Sequence, residues 1–317
     1  MRIAFAALLL ALAGHAAAQD WPSRPVRVVV PFPPGGGTDT VARPLSAKLS
    51  TMLGQQFIID NRGGAGGTIG ANVAAKSPAD GYTVLLAPVH LAVAVSAYKT
   101  LPYDLEKDLI AVTTVAIFPD VLVAATKVPA RNLSELISYA KANEGKVNCG
   151  SAGNGTTRHL SCEMFNTLAG IKATHVPYKG TGPATAALLA GEIDYVFEAL
   201  GSAAGHIRAG KIKAIAVTAA KRSPSFPDIP TTAESGQPPL EMSSWYGLWL
   251  PAGTPPPIAQ RLQATVAKAF EEPDMKDLWF KLGAEPGGST SEAFRAFQRA
   301  EIEKWGKVVR EARVSME

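Results

Sequence analysis

The residues best placed to do chemistry lie in one run from Arg24 to Lys48, RPVRVVVPFPPGGGTDTVARPLSAK. Gly35, Gly36 and Gly37 allow a ligand to approach the main chain closely, and Thr38, Asp39 and Thr40 supply oxygens suited to a helix N-cap. The free N–H groups of such a helix end, with its partial positive dipole, favour an anion. Phosphate signatures fail here. Walker A ends in Gly-Lys-Ser/Thr and this loop has no lysine, while Thr40 stands where a dinucleotide loop has its third glycine. A carboxylate or another small anion fits better; a tight turn with no ligand is the alternative.

Enzyme constellations are not found. Ser151 comes closest to a nucleophile elbow, but that motif needs glycine where Cys149 stands. His159, eight residues further on, reads as a helix-start side chain bonded to backbone. His90, His159, His175 and His206 are isolated and no CxxC or HxxxH occurs, so no metal and no cofactor is expected.

These residues need elements to hold them. Val26 and Val28 to Val30 form a β-branched run suited to a strand buried on both faces, and Pro31, Phe32, Pro33 and Pro34 stop it. The helix from Thr40 to Leu53 follows, then a strand from Gln56 to Asp60. A second glycine-rich turn, Asn61 to Thr68, leads into a helix ending near Lys76, and Tyr82 to Ala87 is a third strand. This βαβαβ rhythm implies a parallel sheet with right-handed crossovers, and ligands collect beyond the carboxyl ends of such strands.

The design repeats. After strands at Val112 to Ile117 and Val121 to Ala125 comes a helix capped near Asn132 or Ser134. The strand Val147 to Gly150 then turns through Ser151 to Thr157 into the helix His159 to Ala169. Strands at His175 to Tyr178, Tyr195 to Glu198 and Ile212 to Thr218 complete the second unit, with a helix from Pro183 to Leu189 closed by Gly191. The proline-rich stretch Ser223 to Pro239 reads as a return crossing. Trp245 to Leu250 then completes the first sheet, followed by helices from Thr254, Pro273 and Ser291; the stripe Phe294, Phe297, Ile302, Trp305 and Val309 reads as core.

At 317 residues the chain is long enough for two domains. Residues 1–18 combine Arg2, an apolar run from Ile3 to Ala13 and an Ala16-x-Ala18 cleavage pattern, the marks of a secretory signal peptide. Without Arg2 the formal net charge falls from +4 to +3, with no basic block suited to nucleic acid. Cys149 and Cys162 are bound for an oxidising compartment, which permits a disulfide; two buried free thiols are the favoured reading, since their Cα separation is not legible.

Seven motifs, in order, carry a resemblance. They are Pro31-Phe32-x-Pro34-Gly35-Gly36-x-x-Asp39, Asn61-Arg62-x-Gly64-Ala65-Gly66-Gly67, Asp80-Gly81-Tyr82-Thr83, Leu101-Pro102-Tyr103-Asp104, Gly150-Ser151-x-Gly153-Asn154-Gly155-Thr156-x-x-His159-Leu160, Val176-Pro177-Tyr178-Lys179-Gly180 and Trp245-Tyr246-Gly247-Leu248. The mature chain resembles the extracytoplasmic solute receptors of tripartite tricarboxylate transporters, the Bug family. The resemblance implies an α/β Venus-flytrap fold of the periplasmic binding proteins, each lobe a mostly parallel sheet flanked by helices. Lobe 1 would comprise 19–121 and 243–317, and lobe 2 would comprise 122–242.

It also implies no catalysis. A small carboxylated solute, whether a dicarboxylate, an acidic amino acid, a tricarboxylate or an aromatic acid, would be held in the cleft of a periplasmic, monomeric receptor serving a membrane permease. A sensor as the partner, or an exported hydrolase using Ser151, is the alternative. The resemblance places Phe32, Gly35, Gly36, Thr38 and Asp39 on the ligand from lobe 1, with Ser151, Asn154, Thr156 and Thr157 meeting it from lobe 2. Glu198 stands where the family often has an aspartate, and is expected to face a ligand hydroxyl or amine, a water or a protein donor. Three positions depart from the family's pattern: Pro88-Val89-His90 replaces small hydroxyl-bearing residues, Arg158 is bulky for its place, and Pro44 falls early in the first helix. His90 is expected either to meet a second carboxylate or a ligand ring, or to be a solvated loop histidine.

Overall fold

Apolar residues alternate along the first strand, β1 (Val26–Val30), and the two sets enter different cores. Val26, Val28 and Val30 pack with Val41, Leu45 and Leu49 of helix α1 (Gly37–Leu53), whereas Val29 packs on the other side with Ala71 and Ala74 of α2 (Thr68–Ala75). A strand covered on both faces is what the β-branched run requires. The computed structural model describes residues 21–311 apart from 239; the expected signal peptide lies outside them.

β1 pairs in parallel with β2 (Phe57–Asn61) on one side and β3 (Thr83–Pro88) on the other. A second parallel set joins β5 (Asn148–Ser151) to β6 (Thr174–Pro177) and β7 (Tyr195–Ala199). Two long strands connect the sets. β4 (Leu109–Ala125) pairs antiparallel with β9 (Ser243–Pro251) up to Pro119, and from Asp120 and Val121 onward with β7 and β8 (Ile212–Val217). The sequence reading divided β4 into two strands around Pro119. The strand runs through because its neighbours change at that residue, where a missing donor costs least.

Two helices absent from the sequence reading close the ends of parallel strands. α3 (His90–Ala97) follows β3, where only a loop was expected, and is buried over most of its surface. It therefore lacks the polar face that marks a helix in sequence. α7 (Leu200–Arg208) follows β7 and carries two glycines. The remaining helices are α4 (Leu133–Ala142), α5 (Thr157–Ala169), α6 (Thr181–Ala190), α8 (Pro256–Ala269), α9 (Pro273–Leu282) and α10 (Ser291–Glu311), with β10 (Glu285–Pro286) a short edge on β4.

Cys149 and Cys162 form a disulfide, against the reading of two free thiols. The turn after β5 folds α5 back onto its own strand and brings the two Cα atoms to 6.2 Å, within bridging range. The bond closes a loop spanning a sequence separation of 13. Constraining the unfolded chain in this way contributes about 3 kcal/mol. The double variant Cys149→Ala/Cys162→Ala is expected to melt about 5–10 °C lower, read by calorimetry; an unchanged melting temperature would show that the bridge adds nothing.

The interlobe cleft as candidate functional site

The loop between β1 and α1 is tied by Asp39. Its carboxylate accepts the Gly35 N–H (3.0 Å), the Arg43 Nε–H (2.7 Å) and, more weakly, an Asn61 Nδ2 proton (3.3 Å). Burial raises the Asp39 carboxyl, but these donors outweigh it and hold the group below its ordinary value. Asp39 thus spends its acceptors on the loop, the helix and the end of β2. The expected side-chain N-cap is absent: Gly36 occupies the cap position, α1 begins at Gly37, and Pro44 is accommodated within the helix. Thr38 is buried in the first turn.

In the second unit, α5 is capped by Thr156, whose hydroxyl accepts the His159 N–H at 3.4 Å, and Thr157 opens the helix. Ser151 meets His175 rather than His159: its Oγ lies 2.6 Å from His175 Nε2 and accepts the Gly153 N–H at 3.1 Å. His159 accepts the Gly155 N–H through Nδ1 and stacks on His175, ring centroids 3.9 Å apart. Burial, with His159 beside it, pushes the His175 imidazole down to about 4. A base so weak is poorly matched to activating a serine near neutral pH, and Ser151 is only 1% exposed. These bonds order the turn.

The glycine-rich turn after β2 (Gly64 to Gly66) and the one after β5 (Ala152 to Asn154) meet at a cavity of about 250 Å³, to which the β1–α1 loop contributes Phe32. Phe32, Gly66 and Tyr98 line it from one side, and Asn154, Tyr178 and Lys179 from the other. A larger crevice, about 620 Å³, lies between residues 218–225 and 280–285. It takes Ile117 and Pro119 in its wall, the side of β4 opposite Phe118 and Asp120, and so sits apart from both turns.

Several polar residues are buried, and one of them, His90, packs on Phe32 of the smaller cavity's wall. His90, at the start of α3, is 6% exposed, which rules out the solvated-loop alternative; its ring meets Phe32 edge-on with centroids 5.3 Å apart, and Nδ1 lies 3.4 Å from Thr157 Oγ1. The cause is the helix that replaced the expected loop. Pro88, at the end of β3, pairs with Tyr246. Arg158 forms an ion pair with Asp120 and donates to Ser244 Oγ at 2.7 Å, joining α5 to both crossing strands. Asp120 Oδ1 and Arg158 Nε have no partner among the described residues. Glu198 is 2% exposed and faces protein donors, the hydroxyls of Thr185 (3.1 Å) and Ser202 (2.8 Å). Burial pushes its carboxyl up, and Arg158 pulls against that.

His90 makes a pH prediction. Burial, with the Arg158 charge nearby, lowers its imidazole from 6.5 to about 3. The unfolded chain then takes up a proton that the folded chain refuses, so stability is full above about pH 6.5 and is lost progressively toward pH 3. Melting temperatures from pH 7 to pH 4 should fall less steeply for His90→Gln than for wild type; parallel curves would contradict the assignment.

Sequence reasoning missed Asp120, Thr181, Ser202 and Tyr246, which bond or pair with Arg158, Gly37, Glu198 and Pro88. Thr181 lies between Gly180 and Gly182 at the start of α6, and only that Gly-Thr-Gly run could have drawn notice. Two parallel strand sets joined by two crossing strands, with a cavity where turns from both sets meet, are the architecture of a periplasmic binding protein. Solved structures agree: Rpa4515 of R. palustris with adipate superposes with a TM-score of 0.90 at 38% identity, covering 93% of this chain and 99% of that one. MatC of Rhodopseudomonas palustris with bound malate gives 0.85 at 36% identity, covering 91% and 100%. BugT of Bordetella pertussis is 38% identical over 98% of this chain and 96% of its own length. Residues 41–314 match the tripartite tricarboxylate transporter family receptor, and the chain belongs to that family.

Proposed function

We propose that the chain is an exported receptor whose lobes, 19–121 with 243–317 and 122–242, close on one small carboxylic acid and deliver it to a permease of the tripartite tricarboxylate type. The observation that carries this reading is the meeting of two glycine-rich turns, one after β2 and one after β5 in the other parallel set, at one cavity of about 250 Å³. Phe32 on its wall leads into the helix start of α1, whose first-turn N–H groups would meet one carboxylate. Lys179, on the cavity wall, is placed for a second. Dicarboxylates of the size of malate and adipate, bound by two relatives, are therefore the first ligands to try. Of the residues read from the sequence, Phe32 and Asn154 line the cavity, Gly36 and Thr38 belong to the turn into α1, and His90, Thr157 and Glu198 are buried polar residues.

A thermal-shift screen over small mono-, di- and tricarboxylates and acidic amino acids tests the proposal. A true ligand at 100 times its dissociation constant adds about 2.7 kcal/mol, a rise of about 5 °C or more. The ligand should be recovered unchanged. A panel in which no acid raises the melting temperature, or in which an acid derivative is consumed, would overturn the reading.

A further inference from the structure

The first-turn donor Gly37 does not point into empty space. Its N–H donates to Thr181 Oγ1 at 2.9 Å, a bond between residues 144 apart in sequence and on opposite sides of the cleft. Around it the two segments approach closely, with only the short Thr181 and Pro33 side chains at the contact. A Cβ on Gly36 would lie 2.7 Å from Thr181 Oγ1, one on Gly182 would lie 3.4 Å from the Gly35 carbonyl carbon, and one on Gly180 would lie 3.2 Å from Pro33 Cδ. Glycines on both faces permit this approach. Of these, Gly36 has an ordinary φ of −89°, so its lack of a side chain answers to the space before it and not to its backbone shape.

We infer that Gly180, Thr181 and Gly182 form a clasp that seats on the Gly35–Gly37 turn, so that Thr181 is the residue that holds the lobes closed over a bound solute. The inference rests on the receptor reading above and adds to it the contact that completes closure. The hydroxyl suits the role. Thr181 is β-branched and short, so its oxygen cannot swing aside from an added Cβ without giving up the bond to Gly37. The clasp also fixes which donors a ligand can use: the Gly35 N–H is taken by Asp39 and the Gly37 N–H by Thr181, which leaves Gly36 and the following first-turn residues. Glu198 stands just behind, bonded to Thr185 one turn along α6 and to Ser202 on α7, and its two bonds hold the helix start in place.

The clasp predicts an unusual pattern in a double-mutant cycle. Thr181→Ala removes one interlobe hydrogen bond and should lower the closed-to-open ratio about fivefold. Gly36→Ala forces an overlap and should lower it on the order of thirtyfold. Because the overlapping atom is the Thr181 oxygen, the double variant should return to the level of Thr181→Ala alone, a rescue instead of a sum. Closure is read by electron-spin distance measurement with labels at Ile58 and Leu189, both on the surface, with and without adipate. Circular dichroism melts check that every variant folds. A double variant as open as Gly36→Ala, or a wild type that stays open in both conditions, overturns the clasp. If the ligand-free cycle shows the rescue but neither adipate nor malate changes the distances, the clasp stands and the choice of ligand fails.

Discussion

Gly36→Asp is expected to abolish binding of the small acid while the protein still folds and melts near the unliganded wild type. The turn after β1 presents main-chain donors, and each charge-assisted bond to a carboxylate contributes roughly 1.5–3 kcal/mol. A micromolar receptor has about 8 kcal/mol of binding free energy in all, so losing two such bonds removes much of it. Two further effects act in the same direction. The aspartate sets a fixed negative charge where the ligand's charge must sit, and its Cβ would fall 2.7 Å from Thr181 Oγ1, which opposes closure. Neither effect reaches the open fold, because Gly36 has φ −89° and ψ 177°, a conformation any residue adopts. Titration calorimetry on a folded variant with wild-type affinity would mean that the carboxylate binds elsewhere.

The second large effect concerns stability. Arg158→Leu should lower it by about 3–5 kcal/mol, because it leaves the Asp120 carboxylate, 1% exposed, without its counter-charge. The melting temperature should drop by about 6–15 °C. Burial already pushes the Asp120 carboxyl up, with Arg158 pulling against it. Without Arg158 the group rises further, so the penalty shrinks as the pH falls through the raised value and Asp120 takes a proton. Adding Asp120→Asn to Arg158→Leu should recover part of the loss at neutral pH. A single variant that melts with wild type, or a penalty that grows on acidification, would contradict the assignment.

How much of this was legible in the sequence follows from what kind of information each feature needs. The β-branched run Val26–Val30, the prolines that stop it and the glycine-rich turns are local signals, and both parallel sets came out of them. Helix α3 was not legible because His90–Ala97 is apolar nearly all round, and a helix without a polar face has no period to detect. The gap read between Ile117 and Val121 is a change of partners within one strand, which depends on where β7, β8 and β9 lie. The long-range polar contacts were the least legible part. Arg158 was singled out for its bulk, but its partners Asp120 and Ser244 are 38 and 86 residues away, and Thr181 meets Gly37 across 144. The disulfide shows the same limit at short range, since only the fold of the intervening turn sets the 6.2 Å between its Cα atoms.

The central claim is reversible capture of one small carboxylic acid between two closing lobes, and titration calorimetry combined with solution scattering on residues 19–317 tests it most directly. With malate, adipate and related acids, the expected result is saturable binding of one molecule per chain, a fall in the radius of gyration on saturation, and recovery of the acid unchanged. Gly36→Asp should show none of these. Binding of no acid in the panel, or saturation by an acid with no change in the radius of gyration and an undiminished affinity in Gly36→Asp, would contradict it.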